Sequence, residues 1–137
     1  MDRKSDTTQI IERGQILLGR THKVKCGCGN IYVTVNRDKD FRILEVFAVL
    51  GKAGGCAASQ LESIGRLTTR CLRAGISPDI VMKDLRGNIC HSPNYCEGQK
   101  ISSCSDAIGI VIERELDSEA TDNFKIHFEG GEDGGEN

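Results

Sequence analysis

The chain has 137 residues, a formal net charge of −2, 16 glycines and only six aromatic residues, none of them Trp. That length supports one domain with its own core and excludes a large catalytic barrel. No stretch approaches the roughly 18 apolar residues needed to cross a bilayer, and the polar start MDRKSDTTQIIERG has no apolar signal core, so the expected location is cytoplasmic, with no membrane partner.

Residues 1–14 are polar and read as a loosely ordered lead-in to a domain spanning 15–117. QILLGRTHKVK (15–25) predicts a first strand. NIYVTVN (30–36) alternates β-branched and aromatic residues with polar ones and predicts a second, and FRILEVFAVL (41–50) a third. The short polar link RDKD between the last two suits a hairpin. Beyond Gly55 the period changes. Ala57, Leu61, Ile64, Thr68, Cys71 and Leu72 recur at steps of three and four, the stripe of an amphipathic helix that Gly75 stops. SPDIVMKDLRG supplies Ser77 as a cap, Pro78 at the first helical position and Gly87 as a terminator, which predicts a short second helix. Residues 88–103 read as loop. SCSDAIGIVIEREL opens a third helix with Ala107, Ile108, Val111, Ile112 and Leu116 available for burial. The remainder, 118–137, is acidic and glycine-rich and reads as a disordered tail, although NFKIHF (123–128) alternates in a way that permits an added strand. The fold class expected is α+β, a small antiparallel sheet of about three strands followed by about three helices packed on one side.

Charge is unevenly spread. Residues 113–137 hold nine acids and two bases, a balance of −7, which leaves +5 for residues 1–112. A mildly basic body therefore carries an acidic end.

Seven cysteines in a chain read as cytoplasmic point to metal ligands, reactive thiols or small buried groups rather than disulfides, and the odd count argues against a complete disulfide framework. Cys26 and Cys28 lie in the glycine-laced turn CGCGN, Cys56 follows Gly54–Gly55 at a helix start, Cys90 and Cys96 lie in the 88–103 loop, and Cys104 opens the third helix. Cys71 sits on the apolar stripe and is assigned to the core. Unpaired N–H groups and the dipole at a helix start stabilise a thiolate, the form that metal binding requires. Two cysteines from helix starts (Cys56, Cys104) and two from loops (Cys28, Cys90) could form a tetrathiolate site of charge −2 around Zn²⁺. No CxxC pair is present, so such ligands must meet through the fold. The residues alone leave open a second reading, small cysteines buried at tight turns.

Other candidates carry less. GKAGG lacks the pattern of a phosphate-binding loop and reads as a tight strand-to-helix turn. His91 reads as a loop histidine beside Cys90, and Asp106 as a first-turn carboxylate complementing the helix dipole rather than a catalytic base. Arg66, Arg70 and Arg73 could touch phosphates, but with no aromatic residue beside them in the chain they read as a solvated helix face.

Four separated segments, GRTHKVKCGCGNIYVTVNRD, EVFAVLGKAGGCAASQLESIGRL, LRAGISPDIVMKDLRGNICHSP and SCSDAI, occur in order. Together they closely resemble the C-terminal domain of vitamin-B12-dependent ribonucleotide reductases, the TSCPD domain, over about residues 16–114. Small stand-alone proteins with this domain exist, and four cysteines suspected of binding metal are its hallmark. The resemblance places those four at Cys28, Cys56, Cys90 and Cys104, with Cys26, Cys96 and His91 as alternative ligands. Ser102 and Ser105 stand where the family motif has Thr and Pro, which alters the helix start but keeps the thiol and Asp106. It implies no catalytic residues on this chain. The reductase's radical chemistry and cobalamin site belong to a barrel that does not fit here, so the family label of ribonucleoside-diphosphate reductase does not imply turnover by this chain alone, and no cobalamin is expected on it.

Three functions follow as expectations. The first is a non-catalytic metal-binding accessory module in deoxyribonucleotide metabolism, holding zinc or an iron–sulfur cluster beside a ribonucleotide reductase or another protein of nucleotide metabolism. The second is a thiol-redox protein passing electrons to a partner, against which the absence of CxxC counts. The third, weakest because the body is only modestly basic, is a nucleotide or nucleic-acid binding module built on the α-helical arginines and the GKAGG turn.

Overall fold

The computed structural model describes residues 9–51 and 54–120. Three strands, β1 (Leu18–Cys26), β2 (Gly29–Arg37) and β3 (Ile43–Leu50), form an antiparallel sheet in the order β1-β2-β3. Two helices follow, α1 (Gly55–Arg73) and α2 (Pro78–Leu85). A short hairpin, β4 (Asn94–Cys96) and β5 (Gln99–Ile101), and the helix α3 (Cys104–Ala120) complete the chain. This is the α+β arrangement expected, with one addition. The 88–103 stretch read as loop contains the β4–β5 hairpin, whose strands of three residues are too short to show an alternating pattern.

The sheet has a buried and an open face because its side chains alternate. Val24 and Cys26 of β1, Ile31, Val33 and Val35 of β2, and Val46 and Ala48 of β3 point inward and are buried. The register pairs Val24 with Ile31, Val35 with Val46 and Val33 with Ala48, so these residues share one face. A bulge between Asn36 and Arg37 shifts β3 by one residue at its start, which lets Ile43, Leu44 and Glu45 all be buried in succession. α3 packs on the inner face against β1 and β2, and α2 packs against α3. With the sheet on one side and α2 and the hairpin on others, α3 is enclosed, and Asp106, Ala107, Ile108, Ile110, Val111 and Ile112 are all buried.

α1 lies along β3, the edge of the sheet. Its Thr69 hydroxyl accepts from the Val46 N–H at 3.0 Å and donates to the Val46 carbonyl at 3.1 Å. One turn earlier, Gly65 lets the helix close in, since a Cβ there would stand 3.3 Å from the Val46 carbonyl oxygen. The unpaired groups of an edge strand are thus satisfied by a helix side chain rather than left open for pairing.

Two ends of the chain read as separate segments touch this frame. Within the first, Ile11 exchanges two hydrogen bonds with Arg73, and Arg13 grips both Glu45 carboxylate oxygens through its Nε and Nη2. At the other end α3 runs to Ala120, three residues into the stretch assigned to the acidic tail. The rest of that tail, with the possible strand at 123–128, lies outside the described residues.

Candidate metal centre

Strand direction brings most cysteines to one end of the molecule. β1 ends at Cys26, Gly27 and Cys28 make the turn, and β2 begins at Gly29, which pairs with Cys26. α3 starts at Cys104 beneath the same end of the sheet. The sulfur atoms of Cys26, Cys28 and Cys104 lie within 4.8 Å of one another, and those of Cys26 and Cys104 are 3.6 Å apart. Three thiolates about 2.3 Å from one zinc ion would sit roughly 3.8 Å from each other, so the soft sulfur set and its spacing both fit such an ion.

The neighbouring loop is held against this turn. Gly27 tolerates no side chain, because a Cβ would fall 1.8 Å from the Ser92 carbonyl oxygen. Ser92 in turn donates its N–H to Cys90 Sγ at 3.3 Å, and the Cys90 N–H donates to the Ser102 carbonyl, two residues before Cys104. Asp106 organises this junction. Its buried carboxylate accepts from Arg86 Nε and the Gly87 N–H on one oxygen and from the Ser102 N–H on the other, all at 2.9 Å. Arg86 also pairs with Glu113. Burial raises the Asp106 pKa, but the donors at Gly87, Ser102 and Arg86 outweigh it and hold the group below the ordinary carboxylate range. Ser103 caps α3 by accepting the Asp106 N–H at 3.0 Å.

The thiols polarise one another. A hydrogen bond from Cys104 lowers Cys26 to a pKa of about 6 against the opposing effect of burial, with further help from the Cys28 and Gly29 N–H groups. The same bond raises Cys104, and burial raises it further. The pair shares one proton, which makes Cys26 the more acidic of the two thiols and Cys104 the less acidic.

Of the four cysteines expected as ligands, Cys28 and Cys104 stand together. The third sulfur beside them is Cys26, which sequence reasoning held only as an alternative. Cys90 lies outside this close group, although its loop is tied to it. Cys56 is exposed in the first turn of α1. Its helix start is where the sequence placed it, but a helix start fixes the local field and not the direction in which it faces. Cys96 and Cys71 are partly buried against the core. His91 is exposed.

The model of one protein family, the TSCPD domain, matches residues 5–116, most of the chain. The chain belongs to the TSCPD domain family. Association with ribonucleotide reductase as its C-terminal part is a known context of TSCPD domains. No curated protein and no solved structure matches the chain. No helix among the described residues of this TSCPD domain is long and apolar enough to cross a membrane.

Proposed function

We propose that this TSCPD domain is a non-catalytic metal-binding accessory module, holding zinc through Cys26, Cys28 and Cys104 with Cys90 as the fourth ligand. The observation that carries the reading is the convergence of three sulfurs that lie up to 78 residues apart in the chain. Cys90 joins them because its backbone is bonded to Ser102 and its loop is pressed onto Gly27. The ion would tie the β1–β2 turn to the start of α3, joining sheet and helix layers at one end. Thiolates alone also admit an iron–sulfur cluster. The family context points to work beside a ribonucleotide reductase in deoxyribonucleotide metabolism, with a protein of that pathway as the partner. Elemental analysis and a visible spectrum of anaerobically purified protein test this. One zinc per chain and no absorption near 400 nm is the result expected. A folded protein containing neither zinc nor iron after purification with both available would overturn it.

One observation favours a second reading. Cys26 and Cys104 are close enough to form a disulfide with small adjustment. The two thiols would give up two electrons and two protons to a partner disulfide, which would leave as two thiols. Metal-loaded protein that exchanges with an external disulfide as fast as metal-free protein would favour this over the structural role.

A further inference from the structure

The outer face of the sheet is uncovered among the described residues, and its composition is unusual. Tyr32 on β2 and Phe47 and Val49 on β3 are 39%, 50% and 61% exposed. The register pairs Tyr32 with Lys23 on one side and Val49 on the other, and Thr34 with Thr21 and Phe47. Tyr32 and Phe47 are therefore diagonal neighbours on one surface, with exposed Lys23 and Lys25 beside them on β1. Beyond β3 the surface deepens into a groove of about 740 Å³ between the strand and α1, where Phe47 and Val49 share the walls with Arg66, Arg70 and Arg73.

Charge on this face is one-sided. Glu45 is already held by Arg13 and Asn36, and Glu62 by Arg66. Arg70 has no carboxylate partner among the described residues, and Arg73, whose charge also acts on Glu45, gives its Nε to the Ile11 carbonyl and makes no ion pair of its own among them. Lys23, Lys25, Arg70 and Arg73 thus remain as cations flanking two exposed rings. In the chain these arginines have no aromatic neighbour; the fold supplies Phe47 and, one strand further, Tyr32.

We propose that this face binds single-stranded nucleic acid, with unpaired bases stacking on Tyr32 and Phe47 and the phosphates running past Lys23 and Lys25 on one flank and Arg70 and Arg73 on the other. Flat rings on an open sheet between two basic flanks suit a polyanion that carries exposed bases. A duplex hides those bases and offers only its phosphates. An acidic peptide would use the cations but needs no aromatic platform. The site lies on the opposite face of the sheet from Cys26, so its failure leaves the metal reading intact, and loss of metal leaves this one testable.

The test is fluorescence anisotropy of the full chain with labelled 12-nucleotide oligothymidylate and oligouridylate at low salt. Saturable binding of at least one is expected, weaker for a duplex of equal length. Tyr32→Ala and Phe47→Ala should each lower affinity about tenfold or more. Arg70→Gln should weaken it and reduce the slope of log affinity against log salt by about 0.7. Metal content and melting temperature show that each variant is folded; should an aromatic variant fail that control, Arg70→Gln and the duplex comparison still decide. Absence of binding at low salt, equal or tighter binding of the duplex, folded aromatic variants with unchanged affinity, or tighter binding of a glutamate-rich peptide bearing one Phe would each overturn the proposal.

Discussion

At the scale of single residues, the centre at the hairpin turn divides the cysteines by placement rather than by type. Cys26, Cys28 and Cys104 are expected to be necessary for metal, so each Cys→Ser change should release it, measured by a chromophoric chelator under native conditions. Cys90→Ser should weaken binding by at least tenfold, since it leaves three ligands and an open position. Cys56→Ser should leave the metal content unchanged, and a loss equal to that of Cys26→Ser would return Cys56 to the ligand set. The sequence made Cys28 and Cys104 legible because a glycine-flanked turn and a capped helix start announce themselves locally. Cys26 was visible in the same turn but ends a strand whose inward side chains, Val24 among them, are core, so alternation gave it an ordinary reason to be buried. Nothing local could have told that Cys56, six residues beyond the end of β3 and in the first turn of a new helix, would face solvent.

At the scale of elements, the strands β2 and β3 and the helix α1 were readable from period, because each exposes one face and buries the other, and α2 from its cap, Pro78 and Gly87. Their contacts were not. The seal between α1 and β3 depends on Thr69, whose hydroxyl serves both the N–H and the carbonyl of Val46; from the helix pattern it was one more polar residue near the stripe. Thr69→Val keeps the shape and removes both bonds. It should cost about 1–3 kcal/mol, the range for leaving a buried polar group unsatisfied, seen as a lower urea midpoint with an unchanged slope. A change below a few tenths of a kcal/mol would mean that water replaces the hydroxyl and that the strand edge is not sealed.

At the scale of the whole molecule, two devices at opposite ends of the sheet join its layers. One is the cysteine centre; with the proposed metal bound there, a chelator should lower the melting temperature, because ligands from both the hairpin and α3 would couple metal binding to folding. The other is Glu115 of α3, buried beneath the far ends of β1 and β2. It receives Arg20 at 3.0 Å, His22 at 2.7 Å and Arg37 at 3.2 Å. Burial alone would raise this carboxyl, yet the bonds from His22 and Arg20, with Arg37 behind them, pull it down to about 2. A depressed carboxylate stabilises the fold fully above its ordinary value of 4.5 and loses that contribution as pH falls from there towards 2. Glu115→Gln should therefore destabilise the protein at pH 7 by about 3–5 kcal/mol. It should also flatten the acid limb of stability against pH in that window, a shape that melting curves taken between pH 2 and 7 would reveal. These partners stand 78 to 95 residues from Glu115, which is why the sequence showed only a helix acid, two arginines and a histidine far apart.

The two-residue turn between Cys26 and Gly29 has a consequence for how the chain assembles. Side chains on a strand switch faces at every step, so sliding β1 by one position against β2 would send Cys26 to the side of Tyr32 and leave Cys104 facing a lysine. An ion that demands both sulfurs binds only the correctly aligned hairpin. Metal would thus act as an arbiter of strand alignment, drawing misaligned chains back into the productive population by mass action, and protein refolded with zinc should yield one species where protein refolded without it yields several.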